Sequence, residues 1–111
     1  MRKILFVLAL GYAVAAQAAT ALSAADAAAA SELAKNSGCL SCHAVSEKIV
    51  GPAYTKVAEK YRDDKDAVAT LTQSIQYGSK GKWGRIPMPA HPSLNADDIK
   101  TLARWVLSFD K

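Results

Sequence analysis

Five consecutive residues, Cys39-Leu40-Ser41-Cys42-His43, constrain this chain more than any other stretch. The pattern is Cys-x-x-Cys-His, the attachment signature of c-type haem. Two thiols three residues apart sit on one side of a helical turn. From there they can meet the two vinyl groups of a porphyrin and form thioethers. His43 follows directly, so it is held under the iron and offers an imidazole nitrogen as proximal ligand. Other uses of the motif fit less well. A thioredoxin-like pair wants a βαβ context, and nothing in this chain alternates as strands do. A structural zinc site needs four ligands, and adjacent Cys42 and His43 chelate one metal poorly. A plain Cys39–Cys42 disulfide leaves His43 without a role.

The N-terminus reads as an export leader. Arg2 and Lys3 precede an apolar run from Ile4 to Ala16, followed by Ala16-Gln17-Ala18. That is a charged region, a short hydrophobic region and an Ala-x-Ala cleavage site. The run is shorter than the roughly 20 residues that span a bilayer, so no stable membrane insertion is expected. The expected division is a signal peptide over residues 1–18, a flexible tail over 19–25 and one domain over 26–111. Export places the thiols where free cysteines are consumed as disulfides; cysteines spaced for haem are consumed by haem. Loss of the leader also takes two positive charges from the formal +4. The remaining Lys and Arg are dispersed among Asp and Glu, which excludes a nucleic-acid-binding face.

The rest reads as short helices. Ala-rich sequence after a weak Ser23-x-x-Asp26 capping box predicts a first helix over about 26–36, with Leu33 and Ala29 or Ala30 inward. Gly38 ends it. Tyr54, Val57, Ala58 and Tyr61 share one face of a second helix. Asp63-Asp64-Lys65-Asp66 is a solvated turn expected to supply the N-cap of a third, over 66–76, with Val68, Leu71 and Ile75 on one face. The last helix is the best signalled. Asn95 is its N-cap, Asp98 lies at N3, and Leu94 and Ile99 form a staple. Its apolar face holds Ile99, Leu102, Ala103, Val106 and Phe109, with Trp105 at the border, and is expected to pack across the first helix.

Three loop residues carry chemistry. The carbonyl of Pro52 can accept the second ring N–H of His43 and fix its tautomer; an ordinary Gly51-Pro52 turn is the alternative. Trp83, between Lys82 and Gly84, either donates its N–H to a haem propionate or simply packs. Met88 stands between Pro87 and Pro89, which keep the backbone extended and stiff. Downstream of a haem motif, a methionine so clamped is read as the sixth iron ligand. A His43/His91 pair is the rival ligation.

With Cys39-x-x-Cys42-His43, Val50-Gly51-Pro52-Ala53-Tyr54, Trp83-Gly84 and Ile86-Pro87-Met88-Pro89 in that order, the sequence resembles short bacterial class I monohaem cytochromes c, of the type that donates electrons to periplasmic nitrite reductase. The resemblance covers roughly residues 30–110. It implies an all-α class I cytochrome c fold, four to five short helices wrapped around one haem c covalently bound through Cys39 and Cys42. His43 and Met88 would be the axial ligands, the Pro52 carbonyl would orient His43, and Trp83 would meet a propionate. The implied function is that of a soluble, monomeric, periplasmic one-electron carrier, not an enzyme. Its acceptor would be nitrite reductase or a terminal oxidase or peroxidase, and its donor a membrane quinol-oxidising complex. A peroxidase-like enzyme or gas sensor with an open or bis-His site is the rival. Two positions depart from the family pattern. Ser74 stands where relatives often carry a basic residue that reaches a propionate, a role Arg85 is expected to take over. His91 stands where relatives often carry Asn.

Overall fold

The last helix, α4 (Ala96–Leu107), is the element against which every other helix packs. Asn95 caps it as expected: its Oδ1 accepts from the Asp98 backbone N–H at 2.8 Å. Asp97 and Asp98 lie in the first turn and Arg104 in the last, matching the helix dipole. Ile99, Leu102, Ala103, Trp105 and Val106 are buried. Trp105 is therefore a core residue, 6% exposed, and not a border residue as the sequence suggested. It meets Tyr54 edge-on at 5.3 Å and Phe109 at 5.1 Å, so two aromatic side chains close over it.

These features come from a computed structural model, which describes Gly11 and residues 22–110. The leader expected over 1–18 falls outside the described residues, Gly11 aside. Helix α1 runs Ala24–Asn36, starting two residues earlier than expected. Ser23 explains the early start: its Oγ accepts from Asp26 N–H at 3.0 Å, so the weak capping box does cap. Ala30 and Ala34 are the buried residues of α1, and their small side chains let it lie close on α4. Gly38 then takes φ +79, a conformation costly for residues with a Cβ. It turns the chain into a 3-10 turn, Cys39–Ser41.

Helix α2 covers Tyr54–Lys60 and α3 covers Ala67–Tyr77. Asp66 occupies the N-cap position of α3 but makes no side-chain cap. Asp64 closes the preceding turn, accepting from Asp66 N–H at 2.8 Å. Among the described residues there is no strand, only two isolated bridges, His43–Lys48 and Ser79–Met88. The turn after α2 is fastened to the end of the chain by Arg62, whose Nε and Nη2 each reach a carboxylate oxygen of Asp110 at 2.8 Å. This pairing raises the Arg62 pKa further. No helix among the described residues is long and apolar enough to cross a membrane.

Candidate functional site

The 3-10 turn positions Cys39 and Cys42, both partly buried and not bonded to each other. The turn closes with Cys42 N–H and His43 N–H both donating to the Cys39 carbonyl, at 3.2 and 3.0 Å. Burial pushes the Cys39 thiol above its ordinary value, with a smaller upward contribution from Cys42. A dithiol redox pair works through a lowered pKa, so this environment runs against the thioredoxin-like reading.

His43 is held on several sides. Its Nδ1 lies 2.8 Å from the Pro52 carbonyl oxygen. A carbonyl only accepts, so Nδ1 carries the proton and Nε2 keeps a free lone pair. The ring stacks on Tyr54 at 5.0 Å between centroids. Against it lies Gly51, where an added Cβ would sit 2.5 Å from His43 Cε1. Gly51 N–H also donates to the Cys42 carbonyl at 2.7 Å, which ties this loop to the cysteine turn. The requirement for glycine at 51 was not recognised from the sequence; a Gly-Pro step next to a fixed ring was its only trace.

Met88 is positioned from the other loop. It exchanges two backbone hydrogen bonds with Ser79, Ser79 N–H to Met88 O at 3.0 Å and Met88 N–H to Ser79 O at 2.8 Å. Gly78 makes this possible: φ is +82, and a Cβ there would lie 2.6 Å from Met88 O. The prolines stiffen the segment, and this bridge locks it to the end of α3.

The two loops enclose one cavity of about 540 Å³, within the range of cofactor sites. Cys42, His43, Pro52, Trp83 and Met88 all line it, with Tyr54, Val57, Leu71, Ile75 and Val106 in its wall. Cys39 is not part of the lining and packs against the core cluster instead. His91 is also absent from the lining. Its backbone N–H is engaged by Ile75 O at 3.0 Å, and its Nδ1 is buried without a hydrogen-bond partner. Trp83 sits at the mouth, 36% exposed, with Lys60 Nζ 4.6 Å above its ring.

Several features fit a haem. The cavity wall is apolar and aromatic. Cys42, with Cys39 one turn away, provides an unpaired thiol at the edge. An imidazole of fixed tautomer and a thioether open onto the same space. Among the described residues no group of three His, Cys, Asp or Glu is placed to hold a metal ion directly.

A family model described as Cytochrome c matches residues 27–110. The chain belongs to the cytochrome c family. Cytochrome c-551 of Pseudomonas aeruginosa is 51% identical over 76 residues, 68% of this chain and 72% of that one. Cytochrome c-551 of Stutzerimonas stutzeri is 46% identical over 110 residues, 98% of this chain and 99% of that one. Among solved structures, wild-type cytochrome c552 of Nitrosomonas europaea superposes with a TM-score of 0.70 at 44% identity, covering 72% of this chain and 99% of that one. The chain is thus a small class I monohaem cytochrome c, an electron carrier and not an enzyme, with one covalently bound haem c and redox proteins as partners.

Tyr54, stacked on His43, gives the family fold an alkaline limit. Burial raises its hydroxyl pKa well above the ordinary value of 10.0, with smaller contributions from Cys39 and Cys42. The cysteine contributions vanish once the sulfurs are thioethers; burial remains. The unfolded chain releases this proton near pH 10 and the folded chain only at higher pH. Stability is therefore intact below about pH 10 and falls as pH rises beyond it. The denaturation midpoint should decline above pH 10, less steeply in Tyr54→Phe. Equal slopes would remove Tyr54 as the cause.

Proposed function

We propose that this cytochrome is a periplasmic one-electron carrier, exported by cleavage after Ala18. Its haem c would be joined to Cys39 and Cys42, with His43 and Met88 as axial ligands. The observation that carries the ligand assignment is the shared cavity: His43 and Met88 both open onto it and His91 does not. The bound iron supplies the one-electron couple. The protein's part is to keep both axial positions filled, so that no substrate has to bind and little has to move. Hydrogen bonding to Pro52 makes His43 a stronger donor, while the soft thioether of Met88 favours ferrous iron and raises the potential.

Electron exchange needs an exposed edge. Leu40, Val45, Ile49 and Val50 are exposed beside the cysteine turn, and Ile86 is 67% exposed across the mouth. Lys48, Lys82 and Arg85 stand among them, with Lys80 next to Gly81 in sequence. This apolar patch with a cationic rim suits short-lived docking to an acidic face on a redox partner. A periplasmic nitrite reductase, terminal oxidase or peroxidase fits as acceptor, and a quinol-oxidising membrane complex as donor.

An optical spectrum of the purified mature protein, oxidised and reduced, tests the assignment. A sharp haem c α band on reduction, with a Met-to-iron charge-transfer band in the ferric form, is the expected result. Low-spin ferric iron without that band would favour His43/His91 ligation. Ready carbon monoxide binding by the reduced protein would mean an open sixth site.

A further inference from the structure

Three cations, Lys48, Lys82 and Arg85, line the cavity, and no Asp or Glu does. Lys60 adds a fourth positive charge above the Trp83 ring. None of the four pairs with a carboxylate; the ion pairs of the described residues are Lys56–Glu59 and Arg62–Asp110. An apolar cavity with an unbalanced positive mouth suits an apolar plate that carries acid groups. The cations are not equivalent. Lys82 Nζ donates to Ser74 Oγ at 3.2 Å. Ser74 belongs to α3 and lines the same cavity, so this ammonium is anchored to a helix outside its own loop. Its partner is a neutral hydroxyl, which holds the group without cancelling its charge and leaves two of its three N–H donors free. Arg85, in the same loop and as exposed as Lys82, makes no side-chain hydrogen bond or ion pair among the described residues.

We infer that Lys82, anchored by Ser74, is the positioning residue that faces the carboxylate edge of the haem and holds the reduction potential up. Ser74 is then a relay in place of a missing cation, and Lys82, not Arg85, supplies the charge that α3 lacks. A fixed cation beside the cofactor opposes the extra positive charge of ferric iron and so favours the reduced state. Solvent and salt screen every cation of the rim, Lys82 included; what separates Lys82 is the Ser74 bond, which holds its charge in one place. This inference rests on the haem c reading above.

The test is the reduction potential of the mature, haem-loaded protein, measured by spectroelectrochemistry for wild type, Lys82→Met, Lys82→Arg, Ser74→Ala and Arg85→Gln. At one electrode potential, Lys82→Met should shift the ferric-to-ferrous ratio about fivefold toward ferric, or roughly 40 mV at 59 mV per tenfold for one electron. Ser74→Ala should shift it about twofold in the same direction with all charges retained. Arg85→Gln should change it by less than the Ser74 variant, and Lys82→Arg should stay near wild type. A shift in Arg85→Gln as large as in Lys82→Met would overturn the inference, because the effect would then be one of overall charge. So would an unshifted Ser74→Ala, since an unanchored lysine would serve equally well. Should Lys82→Met fail to fold, the comparison of Ser74→Ala with Arg85→Gln decides alone. A wild-type protein without a haem c band defeats the haem reading itself, and is recognised before any potential is measured.

Discussion

Met88→Ala is expected to lower the reduction potential by on the order of 0.2 V, a part of the roughly 0.8 V over which axial ligands move haem potentials. Loss of the thioether removes a soft donor that favours ferrous iron. It also leaves a vacancy in a cavity whose lining holds no imidazole besides His43 and no sulfur besides that of Cys42; Lys48 and Lys82 supply its only amines. The reduced variant should therefore bind carbon monoxide, which the wild type should resist. The protein around it should hold, because residue 88 is fixed through its backbone bridge to Ser79, which alanine keeps. Spectroelectrochemistry and a carbon monoxide titration check both parts. An unchanged potential together with an unchanged ferric spectrum would take Met88 out of the iron's coordination.

Gly51→Ala should be strongly damaging for a single added methyl group. The new Cβ would lie 2.5 Å from His43 Cε1 and 2.9 Å from Nδ1, too close for either to stay. Neither side can yield easily. The imidazole is held by Pro52 and stacked on Tyr54, and the Gly51 backbone is held by Cys42. Overpacking of this kind costs about 1–3 kcal/mol. Here relief comes by stretching the Nδ1–Pro52 bond, so the penalty should appear both in stability and at the iron. The denaturant midpoint should fall, and the potential should rise, because a poorer imidazole donor stabilises ferric iron less. A variant with wild-type values of both would show that the loop moves aside freely.

Much of this site could be read in the sequence because covalent chemistry demands fixed spacing. Cys39, Cys42 and His43 are adjacent in the chain, and Met88 is marked by its flanking prolines. The caps Ser23 and Asn95 were legible for a similar reason, since each acts within one turn of itself. What escaped were the contacts between distant segments. The Ser79–Met88 bridge leaves no mark in either local pattern. Helical spacing put Trp105 at the edge of α4; Tyr54, from a distant segment, covers it together with Phe109, one turn further on. Arg85 drew attention because it sits in the Trp83 loop; nothing local marks the bond from Lys82, in the same loop, to Ser74. At the start of α3 the acidic turn closes on itself, with Asp64 accepting from Asp66 N–H, and the Asp66 side chain makes no cap.

Helices α1, α2 and α3 each touch α4, yet among the described residues no pair of the three shares a comparable contact. They are spokes on one axle, and the gap between two spokes is where the porphyrin belongs. A small domain has little core to spare, so the polypeptide before haem attachment should be a loosely joined wheel. Ligation and final consolidation then become a single event, since whatever binds only the finished form pulls the chain toward it. The dye is a structural wall as much as a battery.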